Sequence, residues 1–279
     1  MKRTQLTITV RSELLDLLDQ MVDGIKIRNR SHAMEVILSK AFSASKVRKA
    51  FILAGGKGTR MRPFTYEMPK PMIPVQGKPL LQHILDLCRK YDIRDILLST
   101  GYLEEKIREY FGNGSKFGVS INYIEEKKEL GTAGSLHLAK NLLNEPFLMF
   151  NGDVLANIDL HDFIRFHHEK KGLATIALTP VKDPSRFGVA NLKGDKILEF
   201  IEKPERGKET SNLINAGVYL LEPEVIKYIP KGKTMLETDV FPHLAKRGKL
   251  YGYHFDGQWF DTGTYEAYER AIKNWKGVS

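Results

Sequence analysis

From Ala50 onward, short apolar runs alternate with stretches of helical periodicity, and this alternation restricts the possible folds more than any other feature of the chain. Ala50–Ala54, Ile96–Thr100, Val119–Ile124 and Phe147–Phe150 have the length of strands, and Leu80–Tyr91, Leu103–Phe111 and Ala133–Leu143 between them repeat at helical spacing. Strands separated by helices belong in an α/β fold with a largely parallel sheet, because each parallel connection has to cross back over the sheet. Thr175–Leu178, Val189–Leu192, Leu198–Ile201, Gly217–Leu221 and Tyr251–Phe255 follow with fewer helices between them, which predicts a mixed sheet there. Ligands on such sheets bind beyond the carboxyl ends of the strands. The loops after residues 54, 124 and 150 should therefore share one site.

The first of those loops is the most informative. It reads Leu53-Ala54-Gly55-Gly56-Lys57-Gly58-Thr59-Arg60, followed by Met68-Pro69-Lys70-Pro71. Gly55, Gly56 and Gly58 let backbone amides come close to a phosphate chain because no Cβ intervenes. Arg60 and Lys70 supply the positive charge that a triphosphate requires. The spacing is GGxG, and so differs from both the Walker loop and the dinucleotide-binding GxGxxG.

With Arg60 and Pro69-Lys70-Pro71, this stretch resembles the signature of the sugar-1-phosphate nucleotidyltransferases, and further motifs of that family recur in order over residues 50–275. The resemblance implies a Rossmann-like, mainly parallel mixed sheet flanked by helices. It implies that Leu53, Ala54, Gly55, Gly56, Gly58 and Thr59 hold the nucleotide, with Gly131 and Thr132 of Leu130-Gly-Thr-Ala-Gly134 against base and ribose. Glu126 would join them, although Glu125–Glu129 reads equally well as a solvated charged face. Gly152 of Asn151-Gly-Asp153, Glu202 and Lys203 before Pro204, and Asn215 and Gly217 of Asn215-Ala-Gly217 would surround the sugar phosphate. Asp153 and Asp261 would bind Mg²⁺. His167-His168 lies on a polar helical stretch and reads as a surface pair, with no metal role.

The chemistry implied is attack by the phosphate oxygen of a sugar 1-phosphate on the α-phosphorus of a nucleoside triphosphate, with pyrophosphate leaving. The nucleophile is already anionic, so positioning and charge neutralisation by Arg60 and Lys70 are the main catalytic work. The segments Ile176–Val181 and Asp183–Gly188 look closest to mannose-1-phosphate guanylyltransferases, with glucose-1-phosphate thymidylyl- and uridylyltransferases as the alternative.

The N-terminal segment is different in character. Of a formal net charge of +9, the first 50 residues carry +5, with ten Lys/Arg against five Asp/Glu. Such a basic excess draws polyanions of any kind. Gln5–Val10 alternates polar and apolar as a half-buried strand does, Ser12 heads one helical stretch, Gly24 ends it, and a second opens at Ser31. So small a core needs a partner, and a second copy of the strand would supply one.

This segment resembles the ribbon-helix-helix DNA-binding family. The resemblance implies a homodimer whose Gln5, Thr7 and Thr9 read bases in duplex DNA, with Arg30 and Ser31 at the second helix's start facing a phosphate. The alternatives are a module that only dimerises, or a regulator that senses a nucleotide sugar. Ser43–Lys49 reads as a linker, giving a small domain over 1–45 and a catalytic one over 46–279. No run is apolar enough for a membrane span, the first residues are too polar for a signal peptide, and the single Cys88 suits a reducing compartment, so cytoplasm is expected.

Overall fold

The computed structural model describes residues 7–24, 27–44 and 47–278, with the backbone alone for residues 39–44. The chain divides into two compact units, Met1–Lys46 and Val47–Ser279.

In the first unit, α1 (Ser12–Met21) and α2 (Arg30–Ala44) are joined by a bidentate ion pair. The Arg30 guanidinium meets the Asp19 carboxylate at 2.5 and 2.6 Å. The hydrogen bond from Arg30 also holds the Asp19 carboxyl below its usual range. Two details differ from the sequence reading. Arg11, not Ser12, precedes α1 without a side-chain cap, and α2 is capped by Asn29, whose Oδ1 accepts from the amide of His32 at 2.9 Å. The strand expected over Gln5–Val10 was to pair with a second copy, so the single chain does not test it. Gln5 lies outside the described residues, and Thr7–Val10 enter no ladder. A strand needs a hydrogen-bonding neighbour, and the described part of this unit is otherwise helix and turn. Leu18 and Ala33 are buried, whereas Ile8, Leu14, Leu17, Ile37 and Leu38 are exposed.

The second unit opens with β1 (Lys49–Leu53), four consecutive residues of which are buried, as a strand covered on both faces requires. Lys49, expected in a linker, is its first residue, and its ammonium donates to the Leu142 carbonyl at 2.5 Å. Then follow α3 (Phe64–Glu67), the short pair β2 (Pro74–Val75) and β3 (Lys78–Pro79), α4 (Leu80–Lys90), β4 (Asp95–Thr100), α5 (Glu104–Phe111), β5 (Ser120–Glu125), α6 (Gly131–Gly134), β6 (Phe147–Asn151), β7 (Val154–Ala156), α7 (Leu160–Lys170) and β8 (Ala174–Pro180). The remainder is β9 (Gly188–Lys193), β10 (Lys196–Glu202), β11 (Leu213–Leu221), α8 (Phe241–Lys246), β12 (Leu250–His254), β13 (Trp259–Asp261) and α9 (Tyr265–Asn274).

Nine strands form one sheet in the order β5-β4-β1-β6-β11-β8-β12-β10-β9. The β5-β4-β1-β6 block is parallel throughout, and β11 runs antiparallel to both β6 and β8. This is the expected division into a parallel first half and a mixed second half. Apolar clusters cover both faces of the sheet. Among the described residues no helix is long and apolar enough to cross a membrane.

Two local expectations change. The helix read over Ala133–Leu143 is only α6 followed by a 3₁₀ turn at Ser135–His137. The amides of Ala133 and Gly134, which have no partner within a helix starting here, donate to the Thr234 carbonyl and tie the turn to that segment. His167 is not a surface residue: it is buried, within hydrogen-bonding distance of the Thr175 hydroxyl at 2.7 Å and the Glu222 carboxylate at 3.3 Å. Helix α7 turns that position onto the sheet, which its polar neighbours conceal in the sequence.

Candidate functional site

β1 and β6 end side by side, with Leu53 in register with Asn151. The next amide, of Gly152, donates to the Leu53 carbonyl at 2.9 Å. A Cβ on Gly152 would stand 2.2 Å from that oxygen, so only glycine lets the chain turn here and deliver Asp153. β7 then pairs antiparallel with β13, which sets Asp261 opposite Val154. The Thr262 amide and hydroxyl both donate to the Asp153 carbonyl, at 3.2 and 2.7 Å, and the Gly263 amide donates to Asp261 Oδ1 at 2.9 Å. Two carboxylates from distant parts of the chain are thereby fixed as neighbours.

Their charges are set by each other and by two cations. The Lys70 ammonium donates to Asp153 Oδ2; the lysine side chain is 9% exposed and the aspartate 32%. Burial raises the Asp153 carboxyl, but Lys70 and then Arg60 outweigh it and hold the group below the usual carboxylate range. Asp261 goes the other way: burial and then the Asp153 charge push it up, against Lys70 and Arg60. A cavity of about 250 Å³ opens here, lined by Gly56, Gly58, Thr59, Arg60, Lys70, Gly152, Asp153 and Gly263 among others. Gly58 lies at φ +59°, and a Cβ there would come 2.9 Å from the Thr65 methyl. Gly56, Gly58, both cations and Asp153 thus line one space, with Asp261 beside it.

Glu126 faces the glycine loop. Ser99 Oγ donates to its Oε1 at 2.5 Å, the Leu130 amide approaches its Oε2 at 3.3 Å, and a Cβ on Gly55 would lie 3.4 Å from Oε1. Glu125, Lys127, Lys128 and Glu129 beside it are exposed. Gly131, at φ +77°, is pressed against the Thr234 carbonyl, which a Cβ would meet at 2.4 Å. Thr132 turns inward, its hydroxyl donating to Glu237 Oε2 at 2.5 Å.

On the other side, Lys203 pairs with the neighbouring Glu202 at 3.2 Å and is 64% exposed. Its backbone sits at φ +49°, a conformation that costs a non-glycine residue and that recurs at functional sites. β11 is irregular between Asn215 and Tyr219, with Gly217 at φ +72°. Asn215 shapes this turn: its Oδ1 accepts from the Gly217 amide and its Nδ2 donates to Tyr219 Oη, both at 2.9 Å.

Glu237, Tyr219 and Thr262 were not singled out from the sequence. Nothing in residue type separates a buried acid from a surface one, and Glu237 stands in a single π-helical turn (Leu236–Val240) that matches no simple periodicity.

The model of a family described as nucleotidyl transferase matches residues 49–276. The chain belongs to the nucleotidyl transferase family. Among its relatives, the mannose-1-phosphate guanylyltransferase of Mycobacterium tuberculosis is 40% identical over 226 residues, covering 79% of this chain and 62% of that protein. The UTP–glucose-1-phosphate uridylyltransferase of Synechocystis is 39% identical over 242 residues, covering 81% of this chain and 62% of that one. The chain therefore spans less than two thirds of the length of these curated relatives. A crystal structure from Bacillus anthracis, assigned as a glucose-1-phosphate thymidylyltransferase and solved with a sucrose, has a TM-score of 0.75 and 33% identity, covering 81% of this chain and 94% of that one. This family shares the nucleotide-diphospho-sugar transferase fold described above. The family match begins at Lys49, so the N-terminal unit lies outside it.

Proposed function

We propose that the second unit transfers a nucleotidyl group from a nucleoside triphosphate to a hexose 1-phosphate, giving a nucleotide sugar and pyrophosphate, and that its pair is GTP and mannose 1-phosphate. The observation that carries this reading is the convergence of the glycine loop, Arg60, Lys70 and Asp153 on one cavity, with Asp261 beside it. Two polyanions have to meet, and the cavity offers amides and cations to do it. The guanylyltransferase relatives favour GTP and mannose; the uridylyl- and thymidylyltransferase relatives keep UTP or dTTP with glucose 1-phosphate as the second reading. A panel of four nucleoside triphosphates against several hexose 1-phosphates, read by pyrophosphate release, decides between them. Turnover with no pair would refute the reading altogether.

Asp153 and Asp261 suit Mg²⁺. Two mutually repelling carboxylates are what a divalent cation relieves, and no group of three or more His, Cys, Asp or Glu among the described residues could hold a metal by itself. That donor set fits an ion that keeps most of its coordination for phosphate oxygens and water. When bound, Mg²⁺ would supply charge neutralisation at the α-phosphate. The chain's own residues do the rest. The loop amides cradle the triphosphate, Arg60 stabilises the leaving pyrophosphate, Lys70 neutralises the α-phosphate, and Lys203 holds the phosphate of the sugar.

From these roles, Lys203→Ala should raise KM for the sugar 1-phosphate roughly tenfold or more and that for the nucleotide far less, as loss of one charge-assisted contact implies. Arg60→Ala should show the opposite bias. Equal effects on both substrates would remove Lys203 from its assigned place.

For the first unit we propose a ribbon-helix-helix module that dimerises the chain and binds duplex DNA. Support comes from its net charge of +3, with eight Lys/Arg against five Asp/Glu over residues 1–46, and from exposed Ile8, Leu14, Leu17, Ile37 and Leu38, an apolar surface that a second copy would cover. Gln5, Thr7 and Thr9 would read bases, while Arg30 would exchange Asp19 for a phosphate near Ser31. Full-length protein should be at least dimeric and bind DNA with an affinity that falls steeply as salt rises. A chain starting at Val47 should keep its catalytic activity and lose that binding. Equal DNA affinity of the two forms at low salt would reduce the module to a dimerisation device. We place the protein in the cytoplasm, where its proposed substrates and its buried free thiol, Cys88, are compatible.

A further inference from the structure

Beneath the two substrate regions lies a buried polar chain that the reaction chemistry does not use. Glu237 is 6% exposed, and its two carboxylate oxygens reach in opposite directions. Oε2 accepts from the Thr132 hydroxyl at 2.5 Å, and that hydroxyl in turn accepts from the Leu236 amide at 2.8 Å. Oε1 accepts from the Tyr219 hydroxyl at 3.3 Å. Tyr219, itself fully buried, accepts from the side-chain amides of Asn215 at 2.9 Å and Asn151 at 3.4 Å. Every proton in the chain has an assigned direction: amides donate to Tyr219, Tyr219 and Thr132 donate to Glu237, and the Leu236 amide donates to Thr132.

Burying a carboxylate is costly, and an apolar residue of similar size would fill the same space without that cost. What an apolar residue could not do is grip both ends. One end is the α6 turn, whose Gly131 and Thr132 are read as part of the nucleotide loop. The other is the β11 irregularity, where Asn215 and Gly217 form the sugar turn, with Asn151 one residue before Gly152 and Asp153.

We propose that Glu237 is a positioning residue that couples the nucleotide loop to the sugar turn, so that each substrate's binding depends on the same buried carboxylate. This rests on the reading of those two segments as substrate-binding. Glu237 touches neither substrate. Acting through Thr132 and Tyr219, it holds the two loops at the spacing that in-line attack requires.

The test uses the full chain and steady-state kinetics with each substrate varied at several fixed levels of the other. Tyr219→Phe removes one hydroxyl and only the sugar arm. It should raise KM for the sugar 1-phosphate about five- to tenfold, the scale of one buried hydrogen bond, and leave KM for the nucleotide within about twofold. Glu237→Leu removes both arms and should raise both constants. The double variant should show a sugar KM close to that of Glu237→Leu alone, because the two changes cut the same link. A merely structural role would lower stability and kcat without this split between substrates. An unchanged sugar KM in Tyr219→Phe, or fully multiplicative effects in the double variant, overturns the coupling. If Glu237→Leu does not fold, Tyr219→Phe alone decides by the same criterion. Failure of the underlying reading shows up separately, in the unmodified protein. No pyrophosphate from any substrate pair sinks the reading and the coupling with it, whereas turnover with unshifted constants sinks only the coupling.

Discussion

Replacing Asp153 with asparagine is expected to lower kcat for pyrophosphate release at least about a thousandfold, the scale of losing several kcal/mol of charge stabilisation at the reacting phosphate. Asp261→Asn should behave alike, and the double variant should be little worse than either, since on the proposed reading both carboxylates serve one cation. Stability should separate the two. Asp153 is the ion-pair partner of a Lys70 side chain that is 9% exposed, so Asp153→Asn leaves a buried ammonium without its counter-charge. That costs about 2–3 kcal/mol, below the usual value for a fully buried pair because Asp153 is 32% exposed, and roughly 5–10 °C in Tm. Asp261 is a half-buried carboxylate pushed up by desolvation and by the Asp153 charge, so Asp261→Asn removes a repulsion and should leave Tm unchanged or higher. Its bond from the Gly263 amide can be kept by the asparagine oxygen. Activity assays and thermal unfolding of the two variants check this directly. Equal Tm losses would refute the charge assignment, and near-normal activity in Asp153→Asn would take that residue out of the site.

Gly152→Ala should be nearly as damaging, although it alters no charge. The added methyl would lie 2.2 Å from the Leu53 carbonyl oxygen and 3.2 Å from its carbon, well inside contact distance. Neither flank can move easily, because β1 and β6 are central strands of the sheet. The turn itself has to give, and it carries Asp153. A displacement on the order of 1 Å at a catalytic group costs about a hundredfold, so kcat should fall at least that far. Gly56 offers the contrast. A Cβ there meets nothing within 4 Å, so Gly56→Ala should fold and melt as the unmodified protein does, and any loss should appear in nucleotide binding. A Gly152→Ala protein with most of its activity and Tm would show that the turn is not fixed as described.

The parallel half of the sheet and the residues that line the candidate site were legible because their signals are local. Apolar runs give β1, β4, β5 and β6, and the glycines, Arg60, Lys70 and Asp153 each stand at a strand end or in the loop that follows one. Asp261 was named only through the family resemblance and not through any spacing to Asp153. What escaped depends on contacts between distant segments. The Thr234 carbonyl anchors the turn at Ala133 and Gly134, the sheet buries His167 on a stretch that reads as polar, and the inward turn of Thr132 follows from Glu237. The N-terminal strand was read from alternation alone, and alternation cannot say whether a pairing neighbour is present.

The clamp of Thr262 on Asp153 spans 109 residues of chain. On the ribosome, therefore, the glycine loop, Lys70 and Asp153 all emerge while the strand that brings Asp261 has not been made. The parallel sheet can begin to assemble early, but the second carboxylate is placed only when β13 zips onto β7. A growing chain thus holds its cations and its first acid long before it holds a complete site. On the proposed function, nucleotide transfer would begin only after nearly the whole unit has left the exit tunnel.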